Sequence, residues 1–278
     1  MIASSNISRP RSAIRLGTAL LSSFGVLATI GFAWQASAQP NPILHWKRSS
    51  AEISPPVVDS LPAEMAGDLA YVVTAWNGSS VIESAIQRRA PTGDSCAPIR
   101  GAIRFCVRSS RSNITAQIQL FYTADGHVQA ARSVVSDEFI YAAPFDTSIG
   151  RRAVFCYLLG VAYGATPQDV DLTNSDITDA SGQQSCLDAS LTPEGNENPT
   201  PVDFAAIALL YEHSHTNFGL RDFSQPSQKS SGEELLVPDD LSTNPGKAIG
   251  FDRNGRETTF VRNLPGGMSV VTTVLRRN

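Results

Sequence analysis

The chain has 278 residues, of which 42% are hydrophobic, with 22 Lys and Arg against 26 Asp and Glu for a formal net charge of −4. That mild acidity, with no basic cluster, argues against a nucleic-acid partner. The length is enough for one domain with a full core.

Residues 1–38 hold Arg9, Arg11 and Arg15 and no acidic residue, followed by an apolar run from Leu16 to Trp34 and then Ala36-Ser37-Ala38. Basic, apolar, then small-x-small is the order of a secretory signal peptide, with cleavage expected after Ala38. The competing reading is an uncleaved anchor, which Thr18, Ser22, Ser23 and three glycines make a poor one. Cleavage leaves 278 − 38 = 240 residues and a formal charge of 19 − 26 = −7. No later stretch approaches a spanning length, so no membrane contact is expected after signal removal. The expected location is extracellular or periplasmic.

Residues 39–60 are rich in Pro and Ser, with Ile43 to Trp46 as a short strand candidate. Leu61, Met65, Leu69, Val72 and Trp76 recur at three- and four-residue steps, which predicts an amphipathic helix over 61–76. Asn77-Gly78-Ser79-Ser80 stops it, and Val81 to Ile86 suits a strand. Ala102 to Val107 and Ile114 to Tyr122 alternate in polarity. Ile114, Ala116, Ile118, Leu120 and Tyr122 share one predicted face, with Thr115, Gln117 and Gln119 on the other. Asp125-Gly126 turns the chain into a further strand at His127 to Val135, which predicts a hairpin.

Residues 150–164 are apolar nearly all round and too short to span a bilayer, which predicts a buried helix. A polar loop follows over 165–200, then a helix over Val202 to His213 and irregular chain over 214–245. Ala248 to Phe251, Thr258 to Arg262 and Ser269 to Leu275 read as three closing strands, the first two joined by the turn Asp252-Arg253-Asn254-Gly255. Strands first and helices with long loops after give an α+β domain.

Cys96, Cys106, Cys156 and Cys186 are an even count in an exported chain, so two disulfides are expected. Three pairings are possible, and Cys96 to Cys106 with Cys156 to Cys186 closes the shortest loops. Separations of 10, 50 and 30 contain no close pair and disfavour a four-cysteine zinc site.

Residues 156–169 contain Cys156, Gly160, Gly164, Gln168 and Asp169 at the spacing of a zinc-protease helix of the H-E-x-x-H-x-x-G-x-x-H kind. Further on stand Cys186-Leu187-Asp188, Pro201-Val202-Asp203-Phe204 and Leu210-Tyr211-Glu212-His213. Upstream are His45-Trp46-Lys47-Arg48-Ser49 and Trp76-Asn77-Gly78-Ser79, and Gly246 to Val274 closes the series. In this order the segments resemble the metzincins, more narrowly the matrixin-like secreted zinc metallopeptidases of bacteria and fungi. The resemblance implies a zincin fold, a mixed twisted sheet packed on an active-site-type helix and a C-terminal helix, with C-terminal strands. It implies a domain over 39–220 and an extension over 221–278 that packs on the same domain. It also implies a substrate laid extended along an edge strand, here one of 114–122 or 127–135.

The chemistry departs from the family. The three positions that would supply zinc ligands hold Tyr157, Val161 and Pro167, the general-base position holds Leu158, and the turn methionine is replaced by Leu187. Valine and proline have no lone pair to offer, and tyrosine ligates well only as phenolate. No zinc or other cofactor is therefore expected. His213-Ser214-His215, with Asp203 nearby, is short of ligands, while His45 and His127 are isolated in the sequence and read as structural or surface residues. The leading expectation is a secreted, monomeric pseudo-protease that binds an extended peptide or protein in the residual cleft. The alternative is an active zinc-dependent metalloendopeptidase with unconventional ligands, and a third reading is a structural exported domain.

Overall fold

A computed structural model describes residues 44–48, 51–91, 95–109, 113–173, 178, 181–212, 233–238, 241 and 244–276. The expected signal peptide, His213 and His215 lie outside the described residues.

The fold is mixed α+β. Its strands are β1 (His45–Trp46), β2 (Val57–Ser60), β3 (Ile86–Arg88), β4 (Ile103–Arg108), β5 (Ile114–Thr123), β6 (His127–Ser136), β7 (Lys247–Phe251), β8 (Glu257–Asn263) and β9 (Met268–Arg276). Its helices are α1 (Ala66–Trp76), α2 (Asp137–Ile140), α3 (Ser148–Ala162) and α4 (Pro201–Leu210). The strands form one mixed sheet in the order β3-β2-β4-β6-β5-β9-β8-β7, with β1 paired to the start of β6. The pairs among β1, β2, β3, β4 and β6 are parallel, and every pair from β6–β5 outward to β7 is antiparallel.

The hairpin expected around Asp125-Gly126 forms, with Gly126 at φ 84°. The predicted strand over 81–86 is displaced: Ile82 makes only an isolated bridge to Ile53, and pairing begins at Ile86. A strand that the composition of 39–60 conceals sits near the middle of the parallel region. β2 follows Pro55-Pro56, is buried at all four residues, and ends where Asp59 accepts a hydrogen bond from the Leu61 amide at 2.9 Å.

The principal core lies between one face of the sheet and the helices. Ala116, Ile118, Leu120 and Tyr122 of β5 join Leu69, Val72 and Trp76 of α1 and Phe155, Leu158 and Leu159 of α3 there. Side chains alternate across a strand, so Phe121 points to the opposite face, where Ala130, Leu235, Leu241, Leu264 and Val270 form a second cluster. The polar side of β5 is therefore not solvated: Gln117 and Gln119 are buried, and Gln119 accepts from buried Arg132 at 2.8 Å. Two disulfides join Cys96 to Cys106 and Cys156 to Cys186. Among the described residues no helix is long and apolar enough to cross a membrane.

Candidate functional site

Helix α3 starts at Thr147, whose hydroxyl accepts from the Gly150 amide at 3.1 Å. It ends in a Schellman arrangement, with the Ala165 amide donating to Gly160 and the Gly164 amide to Val161, both at 3.0 Å. Gly164 has φ 97°, and a Cβ there would stand 2.6 Å from the Leu44 carbonyl oxygen. Glycine is thus required by backbone geometry and by the close pass of the chain. Gly160 has another role: a Cβ would lie 2.4 Å from the Trp76 ring and 2.8 Å from Leu187 Cδ2, so its bare backbone lets α1, α3 and the 186–188 turn meet.

Tyr157, Leu158, Val161 and Leu187 all belong to the principal core. Pro167 is half-buried outside that cluster, one residue before Gln168, whose amide donates to the Leu187 carbonyl at 2.9 Å. Asp169 and Asp188 meet in a parallel bridge, so the end of the helix segment and the 186–188 turn run side by side. Burial, followed by the negative charges of Asp169 and Asp188, pushes the Tyr157 hydroxyl far above the ordinary tyrosine range. That hydroxyl is buried and without a hydrogen-bond partner among the described residues. A phenol held so firmly in its neutral form is a poor metal ligand, and fully buried Leu158 offers no base.

Beside Tyr157 lies a narrow crevice, partly open to solvent and with room for about one water, bordered by Asp188, Asn196 and Leu275. Leu275 belongs to β9, which pairs antiparallel along β5 from Ile114 to Thr123. This overturns the expectation that 114–122 or 127–135 is an exposed edge. β5 is flanked by β6 and β9, and β6 by β4 and β5. The physical reason lies in the C-terminal strands, which satisfy the backbone groups of β5 that an edge would leave open.

The turn between β7 and β8 fastens this arrangement to the loop after α3. Arg253 pairs with Asp169 at 3.1 Å, and Arg256 bridges Asp171 at 3.0 Å and Asp252 at 2.5 Å. Asn254 donates to Asp171 at 2.8 Å.

Asp203 caps α4: its carboxylate accepts from the Thr200 amide at 2.7 Å while the Thr200 hydroxyl accepts from the Asp203 amide at 3.2 Å. The same carboxylate also accepts from the Ser185 hydroxyl at 2.8 Å and from the Gln168 side-chain amide at 3.3 Å. The two histidines that look isolated in the sequence are adjacent in space. His45 and His127 face each other across the β1–β6 ladder with ring centroids 4.9 Å apart. Nothing local in the sequence signals this, because a two-residue parallel strand brings them together over a separation of 82 positions. Among the described residues no group of three or more His, Cys, Asp and Glu side chains is placed to hold a metal ion.

No protein-family model, no curated protein and no solved structure matches this chain.

Proposed function

We propose that this chain is a secreted metzincin-like pseudo-protease, a domain that binds extended peptide or protein segments without cutting them. The observation that carries the reading is the interior position of Tyr157, Leu158 and Val161, in the helix turns that would otherwise present ligands and base to a wet cleft. The ordered run of α3, the 186–188 turn joined to it by Cys156–Cys186, and the capped helix α4 supports the metzincin-like part. Two disulfides support an oxidising, exported setting.

Because β5 is already paired, strand addition falls to an end of the strand order, and of its two ends, β3 and β7, the antiparallel one is β7. Among the described residues β7 ends the strand order on that side, with Phe251 59% exposed at its end. An extended segment added there gains backbone hydrogen bonds, with Phe251 as an apolar contact. The partner is a peptide or protein in extended form.

The test uses the purified mature protein with an unstructured polypeptide substrate, with added zinc and with chelator. The expected result is no cleavage in either condition, together with cross-linking of extended peptides to a photoreactive residue placed at Ile249. Chelator-sensitive cleavage overturns the inactive reading in favour of an endopeptidase with unconventional ligands. Absence of peptide capture at β7 overturns the binding reading in favour of a structural domain.

A further inference from the structure

Strands β4 and β6 lie side by side in parallel register, with Arg104 opposite Arg132, Cys106 opposite Val134 and Arg108 opposite Ser136. Their alternate residues Phe105, Ala131 and Val135 point into the principal core, so Arg104, Arg108 and Arg132 share the other face of the sheet, beside the Cys96–Cys106 disulfide. Three guanidiniums on one face call for counter-charge. Arg104 has it in Glu234, at 2.6 Å. Arg132, only 6% exposed, has neutral partners alone among the described residues: its Nε and Nη2 donate to Gln119 Oε1, and its Nη1 donates to the Cys96 carbonyl at 2.9 Å. A guanidinium carries five N–H groups, so each Nη of Arg132 keeps one to offer. Arg108 is half-buried, and its Nε is buried with no hydrogen-bond partner among the described residues. Burial, and then the positive charges of Arg108 and Arg104, lower the Arg132 guanidinium to about 10, so Arg108 stands close enough to repel it. Two uncompensated charges held together below the surface burden the fold, and an oxyanion that accepts from both relieves it.

We propose that Arg108 and Arg132 form a binding site for a phosphate group, entered from the half-buried Arg108 side. Two guanidinium charges match a phosphate, which carries about 1.5 to 2 negative charges near neutral pH, whereas a carboxylate balances only one of them. The flat fork of Arg108 supplies a bidentate pair through Nε and one Nη, and Arg132 adds the N–H groups that Gln119 and Cys96 leave over. Free phosphate and a phosphomonoester share this chemistry. The site lies on the face of the sheet opposite α3 and does not rest on the inactive-protease reading.

The test is titration of the mature protein at low ionic strength with inorganic phosphate, with glycerol phosphate and with acetate, read by calorimetry and by the shift in Tm. Phosphate is expected to bind at one equivalent, and acetate is expected not to compete. Arg108→Gln is expected to weaken phosphate binding about tenfold or more through loss of the charge-assisted pair. Arg108→Lys is expected to keep part of the affinity, since lysine retains the charge without the fork. Tighter binding of glycerol phosphate assigns the site to a phosphomonoester, tighter binding of inorganic phosphate assigns it to the free ion, and both uphold the proposal. Should Arg132→Gln fail to fold, the more open Arg108 is the deciding position, with folding checked by circular dichroism. Absence of phosphate binding in the parent protein, affinity unchanged in folded Arg108→Gln, or acetate bound as tightly as phosphate overturns the proposal. Because the readout is anion affinity and neither cleavage nor peptide capture, its failure is distinguishable from failure of the inactive reading.

Discussion

Gln119 and Thr272 are both fully buried and face each other across the β5–β9 ladder, the Gln119 side-chain amide donating to the Thr272 hydroxyl at 3.3 Å. A substrate-type edge would put water or a guest peptide where Thr272 sits. Here the chain fills that place itself, and β9 is paired on both sides by β5 and β8.

Thr272→Pro is therefore expected to be severely destabilising. Proline removes a ladder donor from a strand with neighbours on both sides and leaves a buried carbonyl without its partner, a cost of about 1–3 kcal/mol before any distortion of the strand. The check is urea unfolding followed by tryptophan fluorescence. An unchanged midpoint would show that β9 is a loosely held flap and that β5 is open to guests after all.

How far the fold was legible in the sequence follows from what each element needs. β5, β6 and α3 carry their own periodicity, so their positions were readable from alternation and from a run apolar all round. β2 was hidden because four residues buried on both faces show no alternation, and Pro55-Pro56 beside them reads as loop. The second face of β5 misled for a related reason: Gln117 and Gln119 look solvated, yet both are buried, with Arg132 donating to Gln119 and the cluster around Phe121 closing the same face. The disulfide partners were legible because short loops leave little choice. The His45–His127 pair was not, since a contact between distant positions has no local signature.

Gly160→Ala is expected to cost about 1–3 kcal/mol, because the added methyl meets the buried Trp76 ring at 2.4 Å and overpacking forces neighbours off their rotamers. Leu187→Met at the other side of the same contact conserves volume and is expected to cost less than about 1.5 kcal/mol. Thermal unfolding of the two variants gives the comparison. Equal effects would mean that the α1–α3 contact is looser than the distances imply.

Tyr157→Phe is expected to be neutral or to raise stability. The hydroxyl is buried with no hydrogen-bond partner among the described residues, and leaving such a group unmade costs about 1–3 kcal/mol. Removing it deletes that penalty and keeps the ring packed against the core. A clear loss in Tm would show that the hydroxyl is held by an ordered water in the crevice beside Asn196 and Asp188, and so that the crevice is wet.

The β7–β8 turn is expected to loosen in acid before the rest of the domain. Burial raises the carboxyls of both Asp171 and Asp252, but hydrogen bonds from Thr173 and Arg256 to the first, and from Arg256 and Asn254 to the second, leave both below the ordinary value of 3.8. A folded-state value below the unfolded one means that the contribution is complete above about pH 4 and is lost as pH falls through the folded-state value. Hydrogen exchange at pH 6 and pH 3 is the measurement. The amides of β7 and β8 should lose protection relative to α3 at the lower pH, and Arg256→Gln should reproduce part of that loss at pH 6, with a stability cost of about 1 kcal/mol for a partly exposed pair. If Arg256→Gln leaves β7 and β8 as protected as in the parent protein, the hairpin is held by its strand pairing alone and the ions at its turn are incidental.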